Sequence, residues 1–195
     1  MSPKYLSYVT RSLPNFLWPL KWIIVKSSLK MTGANFKFGY NSEFSDHRLI
    51  EVGNNVFMGL GTVINTTVPV SIGDNVMFGS RVTIMGGDHN FGVVGESMRF
   101  VKEGGKNIPI VIEKDVWIGS NVTILKGVTI SEGTVIGAGS VVTKSQPPYS
   151  ICAGNPCKPM RLRFSESDLE KHLIAIHSGY TKEEVNNQFN KTKAE

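Results

Sequence analysis

A branched apolar residue returns at every sixth position from Ile112 through Ile118, Ile124, Ile130 and Ile136 to Val142. Four residues after each of the first five stand Val116, Val122, Val128, Thr134 and Ser140, with Gly119, Gly127, Gly133, Gly137 and Gly139 between them. A period of six fits neither an α-helix, at about 3.6, nor a simple strand, at about 2. It fits a flat-sided coil in which each sixth residue marks a side and points into a shared core, so the expected fold is an all-β solenoid. Val, Ile and Thr suit the flat strands, and Gly suits the corners.

The repeat extends upstream with two interruptions. Ile72, Phe78 and Ile84 form one run, with Val76 and Val82 four residues on; Val52, Met58 and Ile64 form another, with Val56 and Thr62. From Ile64 to Ile72 is eight residues, which predicts two extra residues at a corner. From Ile84 to Ile112 is twenty-eight, which predicts a loop of twenty-two extra residues projecting from the coil. Before residue 50 two registers compete, because Phe38, Phe44 and Ile50 also fall six apart.

At 195 residues, with 41% apolar and 9% aromatic content, the chain suits one domain with terminal elements. The expected divisions are an N-terminal helical segment over 1–36, a solenoid over 37–147 with its loop at 86–109, and an extended exit with helices over 148–195. Leu13, Leu17, Leu20 and Ile24 recur at helical spacing, and Pro19 predicts a kink or two short pieces. The apolar stretch Phe16–Val25, broken only by Pro19 and Lys21, is too short to span a bilayer. It either lies on a membrane surface or covers the open end of the solenoid. Ser165 with Asp168, and Thr181 with Glu184, open two C-terminal helices. The second is expected to be short, with a frayed end from Lys191. Pro147, Pro148, Pro156 and Pro159 predict an extended path before them. Cys152 and Cys157 read as reduced, partly buried thiols. The N-terminus lacks a secretory pattern, so the expected location is the cytoplasm, at the inner membrane surface if the N-terminal segment binds lipid. A net charge of +5 favours anionic partners. Without a nucleic-acid motif, a phosphate-bearing small molecule is the better expectation.

The projecting loop opens Gly86-Gly87-Asp88-His89-Asn90-Phe91. Histidine exchanges protons near neutral pH, and long loops on a rigid scaffold carry function. A lone loop histidine is nevertheless more often simply solvated. Asp88 is a candidate to orient the imidazole, although neighbours on an extended chain point apart, which favours a backbone carbonyl instead. His47 falls in the ambiguous first coil, and His172 and His177 are five apart on the first C-terminal helix, a poor metal spacing. There is no nucleophile elbow, P-loop, dinucleotide fingerprint or zinc motif, so no metal ligand is assigned.

Four strings carry a resemblance: Ile112-Glu-Lys-Asp-Val-Trp-Ile-Gly-Ser120, Ile124-Leu-Lys-Gly-Val-Thr-Ile130, Val135-Ile-Gly-Ala-Gly-Ser-Val-Val-Thr-Lys144, and Ala153-Gly-Asn-Pro156. Over about residues 50–163 the chain resembles the hexapeptide-repeat acyltransferases, and within them the galactoside, maltose and surface-polysaccharide O-acetyltransferases. The resemblance implies a left-handed parallel β-helix, an exception to right-handed crossovers. It also implies a homotrimer, acetyl-CoA in a groove between subunits, and a loop histidine as general base, here His89. By position it assigns the cofactor to Ser120, Ala138, Thr143, Lys144, Lys158 and Arg161. Ser120 and Ala138 are eighteen residues, one coil, apart. Trp117 either walls the site or packs. The galactoside and maltose enzymes carry an asparagine where this chain has Gly61, with Asn65 displaced by four residues. Asp88, Asn65, Glu96 and Arg99 are therefore the candidates to touch a saccharide acceptor. The same base and groove would serve an antibiotic or amino-sugar acceptor, and hexapeptide repeats alone are compatible with a non-catalytic scaffold.

Overall fold

The computed structural model describes residues 9–10, 13–101 and 105–194. Residues 1–8, 11 and 12 of the expected N-terminal segment, 102–104 of the loop and the terminal Glu195 lie outside the described residues. The chain winds as a left-handed parallel β-helix with three flat sides. The first side stacks Met31–Thr32, Ile50–Val52, Val70–Ile72, Ile110–Ile112 and Thr129–Ile130. The second stacks Lys37–Phe38, Phe57–Met58, Met77–Phe78, Trp117–Ile118, Val135–Ile136 and Ser150–Gly154, with Cys157–Leu162 as its antiparallel edge. The third stacks Glu43–Phe44, Val63–Thr66, Thr83–Gly86, Thr123–Leu125 and Val141–Val142.

The hexad residues form the core as the period requires. Met58, Phe78, Ile118 and Ile136 stack inward on the second side, and Ile64, Ile84, Ile124 and Val142 on the third. The first coil takes the register with Phe38 and Phe44 inside, their rings edge to face at 5.1 Å. The two extra residues before Ile72 form a tight corner in which Thr66 Oγ1 accepts from Val68 N (3.1 Å) and donates to Val68 O (2.6 Å). Polar residues at inward positions find partners, as burial demands: Thr134 Oγ1 donates to Pro147 O at 2.8 Å and Ser140 Oγ to Gly137 O at 2.6 Å. At one corner Asn35, Asn55 and Asn75 adopt left-handed backbone conformations, which asparagine tolerates. Their amides form a ladder at 2.9 and 3.1 Å.

Helix α1 (Trp18–Ser28) plugs the lower end of the coil. Pro19 does not kink it. It lies in the first turn, where its missing N–H costs nothing. The inward face is Trp18, Lys21, Trp22 and Val25 rather than the expected stripe through Leu20. The aromatic mouth of the first coil selects it, with Trp18 edge to face with Phe38 at 5.2 Å and tilted over Tyr40 at 4.7 Å.

The exit is a hairpin, not only an extended path: Ser150–Gly154 continues the second side and Cys157–Leu162 folds back on it. Helix α2 (Glu166–Ala175) is capped by Ser165, whose Oγ accepts from Asp168 N at 3.3 Å. Helix α3 (Lys182–Ala194) opens on the reciprocal Thr181–Glu184 box. It is not short, and it runs through Lys191 because Val185 and Phe189, one turn apart, are both buried. His47 and His172 serve packing: His47 Nδ1 meets Ser28 Oγ at 2.5 Å, and His172 stacks on Phe164 at 4.5 Å. His177 lies beyond the end of α2, in a left-handed conformation. The thiols of Cys152 and Cys157 are free and buried. Desolvation pushes them up to about 12 and about 11, leaving them protonated and inert at neutral pH.

Candidate active site

The projecting loop leaves the corner between the third and first sides, directly after Gly86. Asn65 pairs in register with Met85, so this candidate lies on the strand beside the one that feeds the loop. The neck of the loop is tied by a residue that sequence reasoning missed. Lys126 Nζ donates to the Asp88 carboxylate at 2.5 Å and to Lys106 O at 3.0 Å, joining the two ends of the loop. Asp88 also accepts from the backbone N–H of His89 at 2.8 Å. Its carboxyl is therefore held below the usual range, first by Lys126 and then by that amide. Asp88 fixes the backbone at His89 rather than its ring. The clasp persists at neutral pH and is lost only as pH falls through this lowered value, because the lowered pKa stabilises the ionised form. His89 is exposed and opens into a cavity of about 570 Å³ lined also by Asn90, Phe91, Ile108 and Lys126. Lys126→Ala should release the neck. The expected result is cleavage of the loop by an added protease on the order of tenfold faster, with little change in the global melting temperature.

Ser120 and Ala138 stack at another corner, between the second and third sides. Ser120 O accepts from Gly139 N at 2.9 Å, and Ser120 Oγ accepts from Ser80 N at 3.1 Å. Ala138 leaves a small surface above it. Thr143, Lys144 and Lys158 come together around a cavity of about 190 Å³ with Gln146, Pro156 and Thr192. An adjoining cavity shares Thr143, Lys144 and Thr192 and adds Gln188 and Lys191 from α3. Among the described residues no ion pair engages Lys144, Lys158 or Lys191. The buried Gln146 Oε1 has no partner. Three unneutralised ammonium groups beside an unfilled amide acceptor suit a ligand that brings phosphates and a hydrogen-bond donor. Arg161 stands apart: it donates to Leu162 O at 3.1 Å and pairs in register with Ile151, outside both cavities.

Lys126 lies eighteen residues, one coil, below Lys144. Coils stack about 5 Å apart, so the loop neck and the lysine cluster share one edge of the solenoid. Coil arithmetic would have found Lys126. The part played by α3 has no signature in the repeat.

Glu96 and Arg99 sit far out on the loop, open to solvent. Beside them Phe91, Val94, Met98 and Phe100 are also exposed, Val94 to 98%. Trp117 is not in the core. It stands on the outer face of the second side, 52% exposed, in a column with Phe57, Met77, Val135 and Ile151.

Residues 109–144 match the family described as bacterial transferase hexapeptide (six repeats), and residues 69–88 match the hexapeptide repeat of succinyl-transferase. The chain is similar to a galactoside O-acetyltransferase of Escherichia coli K12, 37% identical over 76% of this chain and 70% of the relative. It is also similar to a probable macrolide acetyltransferase of Lysinibacillus sphaericus, 55% identical over 75 residues, 38% of this chain and 42% of that one. Among solved structures, a galactoside acetyltransferase in complex with coenzyme A has a TM-score of 0.71 at 32% identity, covering 86% of this chain and 82% of that one. A hexapeptide-repeat acetyltransferase of Vibrio cholerae complexed with acetyl-CoA has a TM-score of 0.72 at 26% identity, covering 84% and 86%.

Proposed function

Because this chain belongs to the hexapeptide-repeat acetyltransferases and uses acetyl-CoA as its acyl donor, we propose that it acetylates a hydroxyl of a saccharide with His89 as general base. The acceptor we assign is a surface polysaccharide or its precursor. The observation that carries this reading is the placement of His89: it stands at the clasped neck of the loop, on the edge that also bears the unpaired lysines. The sugar as acceptor draws its support from the galactoside relatives.

The donor supplies an activated acetyl group as a thioester. The imidazole of His89 takes the proton of the acceptor hydroxyl as that oxygen bonds to the acyl carbon. It holds the proton while the carbon–sulfur bond breaks, then returns it to the leaving sulfur, so an ester and a free thiol result. No protein nucleophile is consumed. Lys144 and Lys158, with Lys191 beside them, hold the phosphates. Ser120 and Ala138 leave room for the pantetheine arm, and Thr143 and Gln146 face the nucleotide end. Asn65, Glu96 and Arg99 are assigned to the acceptor side. Arg161 reaches a phosphate only by swinging from its place on the hairpin.

The protein acts as a homotrimer in this reading. A loop tipped with Phe91, Val94, Met98 and Phe100 is poorly suited to water, and the Phe57–Met77–Trp117 column offers it an apolar landing on the next protomer. That contact joins unlike surfaces, and in the trimer of this reading a rotation of one third of a turn closes it into a ring. It also carries His89 of one subunit toward Ser120 and Ala138 of the next, because their corner borders the second side. Trp117→Glu is expected to shift the particle from trimer to monomer in sedimentation. A trimer unchanged by it would place the interface elsewhere.

A xenobiotic acceptor is a second reading, favoured by the macrolide relative at 55% identity over its shorter span. Product chemistry separates the options. The proposal expects a saccharide product whose acetyl group is released by mild alkali, as an ester is. An alkali-stable acetyl on an amino sugar, or acetylation of a macrolide alone, would overturn it.

A further inference from the structure

Membrane attachment and end-capping, posed above as alternatives for the N-terminal segment, belong to two faces of one helix. One face of α1 packs on the first coil through Trp18, Trp22 and Val25. The opposite face presents Phe16 just ahead of α1, then Pro19, Leu20 and Ile23, at positions i, i+3, i+4 and i+7. Phe16 is 80% and Ile23 59% exposed. A surface helix normally turns polar residues outward, and a helix apolar all round is buried all round. Among the described residues this one is covered on a single side.

Charge indicates what covers the other. The first 42 residues hold six basic residues, Lys4, Arg11, Lys21, Lys26, Lys30 and Lys37, and no acidic one. The remainder of the chain holds fifteen basic against sixteen acidic residues. The positive excess therefore lies in the part of the sequence that carries the apolar stripe. Among its described members Lys37 is exposed, Lys26 is half-exposed, Lys30 is largely exposed while pairing with Glu51, and Lys21 is buried under the helix. A second copy docked end to end would set lysines of like charge against one another, so self-association is disfavoured. We infer that this end of the solenoid docks on an anionic lipid surface, with Phe16, Leu20 and Ile23 entering the interface and Lys26, Lys30 and Lys37 facing the headgroups. Amphipathic elements of this kind lie in the plane of the membrane, and each lysine or arginine near the surface adds to the attraction.

The trimer, on the reading above, strengthens this attachment. Cyclic symmetry points the same end of all three solenoids in one direction. Three stripes then share one plane, and three weak contacts act together. No helix among the described residues is long and apolar enough to cross a membrane, so contact is at the surface. Docking would hold the acetyl-transfer site near a lipid-linked acceptor, and only this last consequence rests on the proposed activity.

The test is co-sedimentation of the full chain with vesicles of phosphatidylcholine, alone or with about one-third phosphatidylglycerol. The wild type should bind the anionic vesicles at least about tenfold better than the neutral ones, and the advantage should shrink as salt rises. Leu20→Glu/Ile23→Glu should weaken anionic binding by at least about tenfold. The altered residues are exposed, so the variant should fold, as circular dichroism would verify. If it does not fold, Phe16→Ser, in the same stripe, replaces it in the same assay. Equal binding to both vesicle types, no binding, or binding unaffected by the variants would overturn the inference. So would a hexamer that the charged variant converts to a trimer, since a second copy would then be the occupant. Binding is read without acetyl transfer, so its failure and the failure of the enzymatic reading are separate results.

Discussion

Replacing His89 with alanine is expected to lower kcat by at least about 100-fold, within the usual range for a lost general base, and to leave KM for acetyl-CoA nearly unchanged. Both parts follow from position. His89 stands at the neck of the loop, exposed, in a cavity distinct from those that gather Thr143, Lys144 and Lys158. Truncating it removes a proton acceptor and leaves the proposed phosphate contacts in place. It also removes no buried contact, so the melting temperature should stay within about 1 °C of the parent, as for surface substitutions. Steady-state thiol release, with the melt as control, reads both. A fall in kcat of less than about tenfold would move the base elsewhere. A large rise in KM with kcat preserved would make His89 a binding residue.

The second large effect is on folding and comes from a position with no side chain. Gly73 begins a corner, and a Cβ there would lie 2.7 Å from Lys114 N and 2.9 Å from the carbonyl carbon of Glu113. Both atoms belong to the backbone of the next coil, which is held by Gly73 N donating to Ile112 O at 2.8 Å. A flexible side chain could move aside, but a stacked coil cannot without loosening its ladder. Gly73→Ala is therefore expected to destabilise by about 2–3 kcal/mol, as overpacking does, and to lower the melting midpoint by roughly 5–10 °C for a chain of this size. Gly179 is the internal control. A Cβ there meets nothing within 4 Å and the residue lacks a positive φ. Gly179→Ala should be neutral or stabilise by up to about 1 kcal/mol through the unfolded state. Equal melting of the two variants would mean the coils are less closely stacked than the structure has them.

The solenoid was legible because its core repeats. Each inward position from Val52 to Val142 is a residue whose spacing states its side, and the corner insertion before Ile72 was countable from the same spacing. The first coil was not, because Phe38, Phe44 and Ile50 continue the hexad across a corner that holds two extra residues; ring packing decides there. Helix α1 was placed correctly but turned the wrong way. Its apolar residues surround the axis, so periodicity did not reveal which face meets Phe38 and Tyr40. The length of α3 depends on Val185 and Phe189 finding a neighbour, which spacing alone does not supply. At the candidate site, Thr143, Lys144 and Lys158 were recognised by resemblance and do converge, whereas Arg161 does not join them. Lys126 was overlooked because a corner lysine looks solvated until the loop that it clasps is seen. The approach of Gln188, Lys191 and Thr192 to the lysine cluster is purely tertiary.

The most direct test of the central claim is thiol release from acetyl-CoA by the unmodified protein, measured against saccharides, amino sugars and hydroxylated antibiotics in parallel. The account predicts release that depends on a saccharide bearing a free hydroxyl and yields an acetyl ester. Release supported only by an amine or an antibiotic, with every saccharide inactive while the cofactor is bound, would contradict it.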